Sequence, residues 1–266
     1  MSIHPTAVVD PGAVLGAGVT VGPFAYVDRD TRIGDGCVIG PHSVILKFTS
    51  LGSHCRVHSC AVLGDLPQDL AFKDDPSYVQ IGDGCVIREG VTIHRGTKPG
   101  TSTVVGNNCF LMANSHLAHN VQLGNGVIIA NGALLAGYVE VGERAFISGN
   151  AVIHQFVRIG RLAMLSGCSG IGKDVPPFCT TVGVCRNRIA GLNVVGLRRA
   201  GIGPEERQAI RQAIKVLYRS GLNVSQAVER IKKEFPQPAV QEICAFIDAS
   251  KRGICTMKAD AEEEAD

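Results

Sequence analysis

Residues 105–171 read, in blocks of six, VGNNCF LMANSH LAHNVQ LGNGVI IANGAL LAGYVE VGERAF ISGNAV IHQFVR IGRLAM LSGCSG I. The first place of every block is Val, Leu or Ile, from Val105 through Leu111, Leu117, Leu123, Ile129, Leu135, Val141, Ile147, Ile153, Ile159 and Leu165 to Ile171. The same frame runs from Ile3 through Val9, Leu15, Val21, Val27, Ile33, Ile39, Ile45, Leu51 and Val57 to Leu63, and returns at Ile81, Ile87 and Ile93. The fifth place is small or β-branched, as in Ala13, Val19, Thr31, Ser43, Val121 and Ala145. On a strand, a fifth place and the next first place share one face, while the sixth between them points the other way. The shared apolar face is the core, and places two to four turn the corner. Short strands joined by tight corners in a fixed hexad read as a parallel β-helix with three hexads per triangular coil.

Two further features fit this frame. The second place is often Gly (Gly16, Gly22, Gly34, Gly124, Gly142), which we read as a turn needing permissive backbone. Four of the ten cysteines (Cys37, Cys55, Cys85, Cys109) occupy the fifth place, where Ala, Ser and Val also stand, so they belong to the core as small hydrophobes. No two cysteines form a CxxC pair, and no metal is called for. The net charge of +2 gives no general attraction for nucleic acid. Met1-Ser2-Ile3-His4-Pro5 lacks a basic segment followed by an apolar run, and no uncharged apolar stretch reaches the length of about 18 residues that spans a bilayer. The expectation is a cytoplasmic chain without a membrane span.

The hexads are interrupted by DLPQDLAFKDDPSY (65–78) and TKPGTS (97–102), read as external loops on a β-helix domain covering 1–190. Beyond it, Gly203-Pro204-Glu205-Glu206 starts a helix carrying Ile210, Ile214 and Leu217, which Ser220-Gly221 ends. Asn223 with Gln226 suggests a capping box for a second helix. Pro236 and Pro238 precede a third, from about Val240 to Ala249. These make a C-terminal helical domain over 191–258, and the acidic tail 259–266 is expected to be disordered.

The frame also sorts the eight histidines: none falls at an inward place. Residues 18 apart stack at one coil spacing, about 4.8 Å, so His119, Gly137 and Gln155 form one column at a corner, with His154 in the column beside it and His116 three residues before His119. An imidazole beside a glycine backbone suits acyl transfer, which needs a base for the attacking hydroxyl and an N–H donor for the oxyanion. His4, His42, His54 and His58 lie apart and read as surface residues. Clustered histidines (His116, His119 and either His94 or His154) also admit a zinc site. A zinc hydratase of the carbonic anhydrase kind and a catalytically idle scaffold are therefore the rival readings.

Several segments carry a family resemblance: GDLPQDL (64–70), VTIHRGT (91–97), LMANSHLAHN (111–120), VIHQF (152–156), GCSG (167–170), DVPPF (174–178) and GLRRAG (196–201). In this order they resemble the acyl-carrier-protein–UDP-N-acetylglucosamine O-acyltransferases of lipid A biosynthesis, over nearly the whole chain. The resemblance implies an all-β, left-handed parallel β-helix with a small C-terminal α-helical appendage, the hand being taken from the resemblance alone. It implies transfer of a 3-hydroxy fatty acyl group to the sugar 3-position in a homotrimer, without cofactor. His119 matches the family's general base, Gly137 its oxyanion donor, and Asn120 the residue that orients the base. His116, His154 and Gln155 match the lining of the substrate cleft, and Tyr138 is placed among them. Asp69 matches the first loop's sugar-nucleotide contact, with Gln68 and Lys73 placed beside it, and Asn193 and Arg199 match the nucleotide end. Met164 and Gly167 match the groove that measures acyl length. Arg186, Arg188, Arg198 and Arg199 are placed to attract an acidic carrier protein.

The sequence departs from the family where it bears on chemistry. Asn120 stands where the family has Asp, Tyr138 where it has His, Ala71 where it has Lys (with Lys73 near), and Ala200 where it has Arg. An Asn carbonyl accepts an imidazole N–H but stabilises imidazolium less than a carboxylate does. A 3-amino sugar acceptor, giving an amide, is thus the alternative within the class.

Overall fold

A computed structural model describes residues 1–184 and 187–257. Arg186 and the acidic tail 259–266 lie outside the described residues.

Places six and one of each hexad form two-residue strands such as Phe110–Leu111, His116–Leu117 and Gln122–Leu123. Each pairs in parallel with the strand 18 residues on: Leu111 with Ile129, Leu117 with Leu135, Leu123 with Val141. The result is a left-handed triangular prism. Its first face runs from Ser2–Ile3, its second from Val8–Val9 to Gly170–Ile171, and its third from Val14–Leu15 to Arg158–Ile159. First-place and fifth-place side chains (Ile129, Leu135, Ile147, Val127, Ala133, Ala145) fill the interior and are wholly buried. The four fifth-place cysteines stack in a column there. Each Sγ donates to a glycine carbonyl one coil on, Cys37 to Gly52 at 3.0 Å and Cys85 to Gly106 at 3.1 Å.

The role expected for the second-place glycines needs correction. The left-handed backbone sits at the fourth place, whatever its side chain: φ is +57° at Phe24, +60° at Asn120 and Tyr138, and +54° at Leu162. The glycines are required by space instead. A Cβ on Gly34 would lie 2.6 Å from the Gly52 carbonyl carbon, and one on Gly106 2.7 Å from that of Gly124. All those named but Gly22, which follows the first face, form a ladder along the corner after the third face, where coils approach too closely for any side chain.

Both loops leave the edge between the second and third faces. One connects Val62–Asp65 to Tyr78–Ile81, the other Thr92–His94 to Ser102–Val105. They are joined to each other, Gly100 N–H donating to Pro76 O at 2.8 Å. The first is held down by Arg95, whose guanidinium lies 5.4 and 5.2 Å from the Phe48 and Phe72 ring centroids and donates to Asp74 at 2.9 Å.

After Ile171 the coil gives way to an antiparallel pair, Cys179–Thr181 with Arg188–Leu192, which the hexad pattern does not foresee. A short helix α1 (Val194–Arg199), capped by the Asn193 side chain, follows. Helix α2 (Pro204–Arg219) has Pro at its first turn, α3 (Val224–Glu234) carries the Asn223–Gln226 capping box, and α4 begins at Pro238 and ends at Asp248. Helix α4 docks on the third face through Arg161, which is bidentate to Glu242, and through Arg158 over the Phe246 ring.

Candidate active site

The edge between the second and third faces gathers the largest set of chemically active groups. His119 and Gly137 are adjacent in one column, with Tyr138 N–H donating to His119 O and Phe156 N–H to Gly137 O, both at 3.0 Å. The His119 ring lies directly over Gly137. A Cβ there would overlap the ring, so the glycine is what allows the imidazole to settle against the coil. The Gly137 residue is buried, and its N–H donates to no group among the described residues.

The proton on His119 can be placed. Asn120 Oδ1 meets the Thr97 backbone N–H at 3.0 Å, the Thr97 hydroxyl at 3.1 Å and His119 Nδ1 at 3.2 Å. A backbone N–H only donates, so the Asn120 atom it meets is the amide oxygen. That oxygen only accepts, so Nδ1 carries a hydrogen, and in the neutral ring the lone pair is on Nε2. Nε2 lies 3.6 Å from Asp69 Oδ2, and Asp69 is itself held by Ala71 N–H at 2.9 Å. Thus a loop residue fifty positions earlier faces the lone pair. The Tyr138 ring stands edge-on to the imidazole, with centroids 5.2 Å apart, and stacks on Phe156 at 4.9 Å.

His116 projects from the second face beside this group, its Nδ1 2.7 Å from the Thr92 hydroxyl. His94 stands edge-on to it, with centroids 4.9 Å apart, and is 5% exposed. His94 does avoid the prism interior, yet it is buried and so is no surface residue. Burial first, then the neighbouring His94 and His119, push His116 down to about 4 from its ordinary 6.5, and burial likewise lowers His94. Both rings take up protons in the unfolded chain at a pH where the folded chain leaves them neutral. Their contribution to stability is therefore complete above about pH 6.5 and is lost as pH falls towards 4. The thermal midpoint of the wild type should fall on going from pH 7 to 5, and His116→Asn should flatten that slope; an unchanged slope would remove burial of His116 as its cause.

The remaining candidates lie elsewhere. Gln155 continues the column and His154 the one beside it, but both are exposed, and His154 Nδ1 is 3.1 Å from the Gln155 carbonyl. Gln68 and Lys73 are exposed on the first loop. Met164 and Gly167 stand at the edge between the first and second faces, and Asn193, which donates to Leu162 O at 2.8 Å, at the edge between the third and first. Exposed Arg199 is also at this last edge, its carbonyl accepting from Arg144 at 3.3 Å. Within one chain, then, the candidates occupy three separate edges. Thr97, Thr103 (accepting from Asn120 N–H at 2.8 Å), Thr92 and Arg95 are site residues that sequence reasoning did not single out. Among the described residues, no three His, Cys, Asp or Glu side chains are grouped to hold a metal, and no helix is long and apolar enough to cross a membrane.

Comparison with known proteins agrees with this architecture. Residues 30–65 and 102–137 match the family model described as bacterial transferase hexapeptide (six repeats), and residues 174–255 that of UDP-N-acetylglucosamine O-acyltransferase, domain 2. The chain is 43% identical over 255 residues to an acyl-[acyl-carrier-protein]–UDP-N-acetylglucosamine O-acyltransferase of Thermodesulfovibrio yellowstonii, covering 95% of this chain and 98% of that one. The solved UDP-N-acetylglucosamine acyltransferase of Bacteroides fragilis superposes with a TM-score of 0.91 at 39% identity, over 94% of this chain and 98% of that one. That of Campylobacter jejuni gives 0.90 at 39%, over 97% and 100%. The hexad prism, the helical end and identity along nearly the full length together show that this chain belongs to the acyl-[acyl-carrier-protein]–UDP-N-acetylglucosamine O-acyltransferase family.

Proposed function

We propose that this chain transfers a 3-hydroxy fatty acyl group from an acyl-carrier-protein thioester to the 3-hydroxyl of UDP-N-acetylglucosamine, the first step of lipid A biosynthesis, with His119 as general base. The observation that carries the catalytic assignment is the seat of the His119 ring on Gly137, with Nδ1 against the Asn120 amide oxygen and Nε2 turned to Asp69. Nε2 takes the proton of the sugar hydroxyl as its oxygen attacks the thioester carbonyl. The Gly137 N–H donates to the developing oxyanion. Collapse of the tetrahedral intermediate breaks the C–S bond, and the imidazolium returns its proton to the departing thiolate. Asp69 accepts from another hydroxyl of the sugar and sets its angle of approach. His116, neutral at working pH, hydrogen-bonds the substrate without competing for the proton.

Lining residues on three edges of one prism make one site only when copies stand edge to edge, which supports a homotrimer with sites between neighbours. In that arrangement Met164 and Gly167 line the acyl groove, Asn193 and Arg199 hold the nucleotide, and Gln68, Lys73, Tyr138, His154 and Gln155 edge the sugar site. Exposed Arg188, Arg198 and Arg199 draw in the acidic carrier protein. We place the reaction in the cytoplasm, and membership of this family displaces the zinc hydratase and idle-scaffold readings. Neutral Asn120 favours one alternative, an amine acceptor that needs less help from a base. Incubation with carrier-protein thioesters of graded chain length and UDP-N-acetylglucosamine, or its 3-amino analogue, separates the two by mass spectrometry. The expected product is alkali-labile acylated UDP-N-acetylglucosamine. Product only from the amine would move the assignment to an amide, and none from either would sink it.

A further inference from the structure

An asparagine beside a catalytic imidazole carries an ambiguity that a carboxylate lacks. Its oxygen accepts from Nδ1–H and leaves Nε2 free, whereas a flipped amide presents NH2 to Nδ1 and drives the proton onto Nε2. A base with its lone pair on the wrong nitrogen is crippled, and in a serine-protease triad that change costs on the order of 10⁴ in kcat. Asn120 creates this hazard for His119. Resting on the acyl-transfer reading above, we propose that Thr97 is a positioning residue that fixes the Asn120 amide, and through it the Nδ1–H tautomer of His119, with Tyr138 completing the clamp.

Thr97 brings two donors to one atom: its backbone N–H at 3.0 Å and its hydroxyl at 3.1 Å both reach Asn120 Oδ1. Both residues are nearly out of solvent, at 9% and 6% exposed, so water offers no easy replacement partner. A flip would set the Asn120 NH2 against the Thr97 N–H, donor on donor, in a buried place where an unmade hydrogen bond is expensive. The Thr97 hydroxyl has one hydrogen, spent on Asn120, so the Tyr138 hydroxyl 2.9 Å away donates to Thr97 Oγ1. Stacking on Phe156 holds the Tyr138 ring where it can do so. The backbone of Asn120 is pinned separately, its N–H donating to Thr103 Oγ1 at 2.8 Å. Every donor in the chain Tyr138–Thr97–Asn120 therefore points towards the oxygen that His119 must meet. Tyr138 and Asn120 are both positions where this chain departs from its family's pattern, and the clamp links them.

The clamp makes a prediction that general support of the loop does not. A carboxylate accepts on either side and has no wrong orientation, so in the Asn120→Asp background Thr97 should cease to matter. Thr97→Val should lower kcat about tenfold with KM within about twofold, the loss of one buried hydrogen bond and of part of the lock. Thr97→Ser should restore kcat. In the Asn120→Asp background the same Thr97→Val change should cost less than about twofold. Nitrogen-15 spectra of histidine-labelled protein should show an unprotonated Nε2 for His119 in the wild type and a mixture of tautomers in Thr97→Val. Should that variant fail to fold, Tyr138→Phe carries the same comparison across the two backgrounds, with an expected loss of about threefold beside Asn120. An equal loss in both backgrounds, or a protonated Nε2 in the wild type, overturns the proposal. If the wild type turns over no acyl donor, it is the acyl-transfer reading that fails, and the tautomer ratio still decides the clamp.

Discussion

His119→Ala should leave the prism folded and lower the rate of acyl transfer by about 10²–10⁴, the range for loss of a general base. The ring sits at a third place of the hexad, outside the core that Leu117 and Val121 fill on either side, so truncation removes no interior packing. It does remove the imidazole set between the Asn120 amide and the Asp69 carboxylate. On the proposed mechanism, positioning and the Gly137 N–H survive, so the variant should retain a slow reaction with KM little changed. Single-turnover rates with carrier-protein thioester and UDP-N-acetylglucosamine measure this directly. A rate within tenfold of wild type would remove His119 from the chemistry.

Gly137→Ala should be nearly as damaging although it deletes nothing. The new methyl would occupy the space of the His119 ring, and the column cannot spread, because the coil-to-coil bonds from Tyr138 N–H and Phe156 N–H fix it at both levels. The imidazole must therefore swing away, and a misplacement of about 1 Å at a reacting group costs on the order of 10² in rate. The same methyl crowds the approach of an oxyanion to the Gly137 N–H. The loss should appear in kcat, with the thermal midpoint close to wild type because the third place contributes nothing to the core. Wild-type turnover by this variant would show that the ring does not work from its present seat.

The periodic parts of this molecule were open to reading from the chain alone. Hydrophobic first places, small fifth places and the four-cysteine column follow from local alternation, and the 18-residue spacing brings His119 to Gly137 without coordinates. Features set by contacts between coils were not. The glycine ladder reflects backbone approach between residues such as Gly34 and Gly52, and the left-handed fourth place accepts Phe24 or Leu162, types that give no turn signal. Asp69 reaches His119 only because its loop folds back, so the family resemblance pointed to it where spacing did not. Thr97 carries no periodic signal, and its value lies in a backbone N–H that every residue but proline has. His94 and Arg95 lie at corner places of the frame yet are buried, Arg95 against Phe72 and Asp74 of the first loop. The antiparallel pair of Cys179–Thr181 with Arg188–Leu192 and helix α1 are likewise products of how the helical end closes the prism.

The first coil has neighbours on one side only: Ser2–Ile3, Val8–Val9 and Val14–Leu15 each form the outermost strand of their sheet, and Val8 and Val14 are 58% and 60% exposed. In a stack where each layer touches only the next, melting spreads from an open end like a zipper and stops where the layers are clasped. Amide exchange should therefore be graded along the axis, fastest at Ile3 and slowest in the layers beneath α4. His119 lies well inside that gradient, so opening of the amino-terminal coils should leave the edge that carries it assembled.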